Sequence, residues 1–249
     1  MPDEAKQVAP EEIDRVAKLL ARAYPYIRQH KMAEGVLTDA PLDSLVRAVL
    51  SQNTTDVNRD RAFNALRRQY PSWHQVADAP AEEVAEAIRQ TNYAFTKAGR
   101  IQQILRELRD EYGAPTLDFL REWPTDRILT YLTHFPGIGS KSAAIVALFA
   151  LGRPVMPVDV HVHRVAGRLG WIGENTSPER AHLILQRLIP EDLIFTVHVG
   201  MWEHGHTTCR PVPKCRQCAI YRFCRYPAKT APEPPVVAAI AITAGRKAA

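Results

Sequence analysis

With 249 residues, 46% of them hydrophobic, the chain is long enough to bury one large core or two of ordinary size. No run reaches the roughly 18 apolar residues that a membrane-crossing helix needs, and the N-terminal MPDEAKQVAPEE is too acidic and polar for a secretory leader. A cytoplasmic globular protein with no membrane partner is therefore expected. The formal net charge of +5 and a pI near 9.1 suit a polyanionic partner.

The apolar spacing predicts helices throughout, hence an all-α fold. Residues 11–23 place Ile13, Val16, Leu19 and Leu20 at helical intervals, with Pro10 just before the first turn. Asp43 is expected to cap a second helix with Leu45, Val46, Val49 and Leu50 on its apolar stripe. A third is expected from Asp56 to about Tyr70. Others follow at 80–89, 96–112, 116–121, 125–134, 140–151, 159–170, 177–188 and 191–205, separated by Pro, Gly or Asn-Thr punctuation. Residues 228–249 combine Pro, Ala and Gly without a helix cap, which predicts a flexible tail.

All four cysteines, Cys209, Cys215, Cys218 and Cys224, fall in one C-x5-C-x2-C-x5-C loop. A disulfide framework belongs to short exported chains, so metal ligation is the stronger reading. Structural zinc usually draws on two separated C-x2-4-C knuckles, whereas iron-sulfur clusters are larger and tolerate uneven gaps. A 4Fe-4S cluster is expected, with zinc and unligated thiols as the alternatives. The same loop holds Arg210, Lys214, Arg216, Arg222, Arg225 and Lys229 between residues 209 and 229, and no Asp or Glu. Those cations are placed to meet phosphates.

The segment FPGIGSK (135–141) reads as a tight turn between two helices. Pro136 stops the first helix, Gly137 and Gly139 permit tight dihedrals around Ile138, and Ser140 is positioned to cap the second. Backbone N–H groups beside a helix N-terminus attract a phosphate oxygen without reading a base. An amine, Lys141, follows the turn at once, and a carboxylate, Asp159, lies eighteen residues on in MPVDVHVHRV. The histidines at 163, 198 and 206 lack metal-ligand spacing and receive no role.

The run from Leu129 to Val165, the preceding LSQNTTD (50–56), and the EHGHTTC approach to the cysteine loop together resemble the endonuclease III family of the helix-hairpin-helix DNA glycosylase superfamily, over roughly residues 35–226. The resemblance implies two helical domains with a DNA cleft between them. Residues 34–153 would form a six-helix domain bearing the hairpin, residues 10–33 with 154–228 the cluster domain, and 229–249 a tail. It also implies base excision repair of oxidised pyrimidines in duplex DNA, with Lys141 as nucleophile, Asp159 as the essential carboxylate, a 4Fe-4S cluster on the four cysteines, and a monomer as the working unit. An amine attacking C1′ leaves a Schiff base from which β-elimination cuts the strand. The target base must leave the stack, so one loop must fill the gap and another must open it. By resemblance Gln52 or Asn53 fills it, Asn53 standing where bacterial relatives carry Gln, and Tyr93 in YAFTKAGRI stands at the family's aliphatic wedge. Thr55, Asp56 and His161 are expected to border the base pocket, with Arg164 in the matching stretch. Gly137, Ile138, Gly139, Arg210, Lys214 and Arg216 are expected at the DNA backbone. The first cysteine gap is one residue shorter than in the best-known bacterial members. Two other readings remain: a monofunctional mismatch glycosylase of the same superfamily, which would usually lack a lysine at position 141, and a noncatalytic DNA-binding paralogue.

Overall fold

The computed structural model describes residues 8–25, 27 and 40–228. The expected tail at 229–249 and the start of the expected first domain lie outside the described residues. Among the described residues the chain forms helices and 3-10 turns and no strand.

Helix α1 (Pro10–Ala23) begins on a proline, whose missing N–H and fixed φ suit the first turn, and Glu11 and Glu12 meet the positive end of its dipole. Helix α2 (Pro41–Ser51) starts two residues before the expected cap. Asp43 therefore caps nothing; its Oδ1 instead accepts from the Trp73 indole at 2.8 Å. Helix α3 (Asp56–Gln69) is capped by the Thr55 hydroxyl, and α4 (Trp73–Asp78), which was not expected, by a reciprocal Ser72–Gln75 box. Helix α5 (Ala81–Ala87) is shorter than expected, while α6 (Ala94–Tyr112) begins two residues early. The expected helix at 116–121 is a 3-10 turn, Asp118–Glu122. Helices α7 (Thr125–His134) and α8 (Ser140–Ala150) flank the hairpin turn. Helices α9 (Val160–Leu169), α10 (Pro178–Leu188) and α11 (Ile194–Thr207) follow. The expected helix at 191–205 is split, because a 3-10 turn at Glu191–Leu193 precedes α11.

Two large hydrophobic clusters hold most of the buried side chains. One gathers Leu45, Val49, Leu66, Ile101, Leu105 and Leu132 from α2 to α7 with Val146 and Ala150 of α8. The second joins Ile13, Val16 and Leu20 of α1 to Val162, Leu185, Val197 and Met201 of α9 to α11, and takes Leu148 from α8. Helix α8 is thus buried on nearly every face, as its SKSAAIVALFA sequence requires. Removing Leu148 to Ala would open a void toward the second core worth about 2–5 kcal/mol. This anchoring holds the hairpin turn at the N-terminus of α8 rigid between the two cores.

Candidate active site and DNA-facing surface

The turn joining α7 to α8 is tighter than its composition alone requires. Gly137 has φ +79°, a left-handed conformation disfavoured for other residues, and a Cβ there would lie 2.8 Å from Arg100 Nη1. Gly139, by contrast, is extended (φ −96°, ψ −178°) and itself takes the N-cap position, so Ser140 is the first helical residue and makes no cap bond. The Ile138 side chain is buried in the first core, and its N–H donates to Phe135 O at 3.1 Å. Lys141 is exposed in the first turn of α8.

Asp159 sits at the N-terminus of α9, where its Oδ1 accepts from His161 N at 2.9 Å and Val162 N at 2.8 Å. One carboxylate oxygen thereby fixes the side chain against a helix end, an orientation suited to a charged acceptor. His198 of α11 is 4% exposed, with Nδ1 donating to Pro157 O at 3.0 Å. Burial pushes its pKa down to about 4; the Asp159 charge and the Pro157 carbonyl oppose that shift, and Lys141 and His182 reinforce it. The charges of Lys141 and Asp159 thus both act on one buried imidazole. His182, lowered chiefly by burial, holds Met156 O in the same way at 3.0 Å. The two rings clamp consecutive carbonyls of the extended segment that delivers Asp159. Sequence reasoning gave His198 no role because it looked for metal spacing rather than for imidazoles serving backbone carbonyls.

Behind Asp159, Arg164 Nη2 donates to His161 Nδ1 at 3.1 Å and to Gly205 O at 2.7 Å. Because a guanidinium only donates, Nδ1 must accept, and a neutral His161 carries its proton on Nε2. Gly205 is a close-approach glycine, since a Cβ there would lie 2.8 Å from His161 Cβ. Thr55 is committed to its cap and Asp56 to Arg59 Nη1 at 2.5 Å, so both are held by local bonds at the start of α3.

Asn53 and Tyr93 are the only non-glycine residues with positive φ among the described residues, +51° and +59°. Both are exposed, Tyr93 by 70% and Phe95 beside it by 62%. Left-handed backbone at an aromatic residue is costly and persists where surrounding contacts over-determine it. Their loops touch: Asn92 Nδ2 donates to Asn53 O at 2.6 Å. Gln52 points elsewhere, its Nε2 donating to Gly137 O at 2.8 Å, so of the two amides only Asn53 is turned to solvent.

The four cysteines line one shallow recess together with Arg168, Pro213, Lys214 and Tyr221. Burial pushes the Cys218 thiol up to about 12, and the Cys209, Cys224 and Cys215 sulfurs push it the same way. A thiol whose ionisation is opposed by burial and by three neighbouring sulfurs fits a site completed by a cationic centre. Among the described residues no three Cys, His, Asp or Glu side chains are arranged around a single ion. Arg168 of α9 fastens the loop through Cys209 Sγ (3.3 Å), Arg210 O (2.7 Å) and Pro211 O (3.1 Å), and Arg164 through Cys209 O (2.8 Å). Arg210, Lys214 and Arg216 remain exposed.

A family model described as HhH-GPD superfamily base excision DNA repair protein matches residues 46–191. The chain is 33% identical to an endonuclease III of Thermotoga maritima over 86% of its own length and 92% of that protein. It is 36% identical to a putative DNA glycosylase of Arabidopsis thaliana over 67% of its length, spanning 57% of that relative. Its fold superposes on a trapped covalent endonuclease III–DNA intermediate with a TM-score of 0.73 at 28% identity, covering 88% of this chain and 97% of the other. By these measures the chain belongs to the HhH-GPD superfamily of base excision DNA repair proteins and, within it, to the endonuclease III family.

Proposed function

We propose that this protein is a bifunctional DNA glycosylase and AP lyase that removes oxidised pyrimidines from duplex DNA, acts as a monomer and works in the cytoplasm. The observation that carries the reading is the pairing of an exposed lysine in the first turn of α8, Lys141, with a carboxylate at the N-cap of α9, Asp159, both of whose charges act on the buried His198. Lys141 Nζ bonds to C1′ as the glycosidic bond breaks, and the base departs with the electron pair and a proton. Opening of the sugar gives a Schiff base; loss of a C2′ proton then expels the 3′ phosphate. Asp159, with Oδ1 bound to backbone N–H groups, uses its other oxygen to balance charge on the sugar or to move a proton. Asn53 would occupy the gap left by the extruded base and Tyr93 would stack against its neighbour. Thr55, Asp56 and His161, the last offering its Nε2–H, would border the extruded base. The backbone of Gly137 to Gly139 and the cations of the cysteine loop would hold phosphates. Solved endonuclease III–DNA complexes of the same fold support DNA as the partner.

Cys209, Cys215, Cys218 and Cys224 would hold a 4Fe-4S cluster, which would supply a rigid ligated anchor for the basic loop. Purified protein should contain iron and sulfide with broad visible absorption; a colourless preparation with stoichiometric zinc would overturn that assignment. The proposed domains, 34–153 against 10–33 with 154–228, find support in the separation of the two hydrophobic clusters. The reaction is tested by incision of a duplex containing thymine glycol. Base release and strand cleavage by the protein are expected, and base release without cleavage would favour a monofunctional glycosylase.

A further inference from the structure

Lys97 is the least expected charge in the fold. It lies one turn into α6, is 2% exposed, and forms no ion pair among the described residues. Its Nζ donates to Leu50 O at 2.9 Å and Gln52 O at 2.6 Å. These are carbonyls at the end of α2, where a helix leaves acceptors without partners and its dipole favours a cation. Burial, with the adjacent Arg100 charge adding, pulls Lys97 down to about 8. A neutral amine still has two protons for the two carbonyls.

The next turn of α6 extends the connection. Arg100 Nη1 donates to Gln52 Oε1 at 3.2 Å, Gln52 Nε2 donates to Gly137 O at 2.8 Å, and the Arg100 guanidinium fills the space a side chain at Gly137 would need. At the start of α6, Asn92 closes on Asn53 O at 2.6 Å. The two positive-φ residues, Asn53 and Tyr93, thus sit at either end of one small set of bonds, and the positive-φ Gly137 sits at its third corner.

We propose that Lys97, with Gln52 and Arg100, is a positioning unit that locks the Asn53 loop, the Tyr93 start of α6 and the Gly137 hairpin turn into a single register. The three loops then present one preformed surface to DNA, and neither strained residue relaxes independently. The unit rests on the reading of these loops as the DNA-facing edge, but its mechanical coupling exists in the free protein and is measurable there.

The test is amide hydrogen exchange on the full-length free protein. In Lys97→Met, which keeps the apolar stem, exchange at residues 52–54, 92–95 and 137–139 should accelerate together by about tenfold or more, with α1, α9 and α11 unchanged. Gln52→Ala, at a partly exposed position that does not endanger folding, should loosen 137–139 together with 52–54. If only 52–54 respond, with the other two segments at wild-type rates in both variants, the coupling is wrong; if Lys97→Met does not fold, Gln52→Ala decides alone. A second readout is the preference for a duplex containing a tetrahydrofuran abasic analogue over the intact duplex. It should fall about tenfold in Lys97→Met, and adding Asn53→Ala should cost little more, since both act through the same loop. A wild-type protein without that preference would sink the glycosylase reading, while the exchange measurements would still decide the coupling.

Discussion

Asp159 is both a helix cap and the proposed catalytic carboxylate, and two substitutions separate the roles. In Asp159→Asn the amide oxygen still accepts from His161 N and Val162 N, at 2.9 and 2.8 Å in the wild type, so only the charge at the start of α9 is lost. That costs about 0.3–1 kcal/mol. Asp159→Ala also removes both bonds, adding about 0.5–2 kcal/mol. At about 2–4 °C per kcal/mol for a chain of this size, the Asn variant should melt about 1–4 °C below wild type and the Ala variant clearly lower. Activity should not follow stability. Both variants lack the carboxylate and should lose about 10²–10⁴-fold in single-turnover base release, or about 3–5 kcal/mol of barrier. The assay uses a labelled thymine glycol duplex at 25 °C, well below either melting temperature. Near-wild-type turnover in Asp159→Asn alongside a large loss in Asp159→Ala would show that Asp159 acts only as a cap.

His198 predicts an acid sensitivity. Its pKa is about 4 in the fold against 6.5 when unfolded, so between those values the unfolded chain takes up a proton that the folded chain refuses. Stability contributed by the neutral ring is complete above pH 6.5 and is lost as pH falls toward 4, at up to about 1.4 kcal/mol per pH unit. His198→Asn, which keeps a donor for Pro157 O, should flatten denaturation midpoints across that window; an unchanged slope would place the titrating group elsewhere. Tyr93→Gly should release left-handed strain of about 1–2 kcal/mol against an entropic cost of about 0.5–1. The variant should be no less stable than wild type yet weaker in base release, and a drop of more than about 2 kcal/mol in stability would show that the ring packs rather than inserts.

Chain order and helix type were largely legible, because apolar spacing in stretches such as EEIDRVAKLL and the Pro-Gly punctuation leave few alternatives. The misses have local causes. Asp43 looked like a cap because Asp suits one, but Pro41 starts α2 earlier and Trp73 claims the carboxylate. Helix α4 carried a readable signal, Ser72 followed three residues later by Gln75, in a stretch too short to show periodicity. Lys141, Asp159 and the cysteines could be nominated from spacing and from family resemblance. What spacing does not encode is which polar groups bury themselves to serve backbone. Lys97 does carry one trace, a charge in register with Ile101 and Leu105 on the apolar stripe of α6. His198 and His182 carry none, because their partners are carbonyls distant in sequence. The left-handed backbone at Tyr93 was equally hidden, since an aromatic residue rarely adopts it, whereas Asn53 is of a type that does.

The central claim is that Lys141 is the nucleophile, and borohydride trapping on a duplex with an abasic site tests it most directly. The wild-type protein should form a covalent protein–DNA adduct on reduction, and Lys141→Ala should bind the same duplex without forming one. No adduct from the wild type, or an undiminished adduct from Lys141→Ala, would contradict the account.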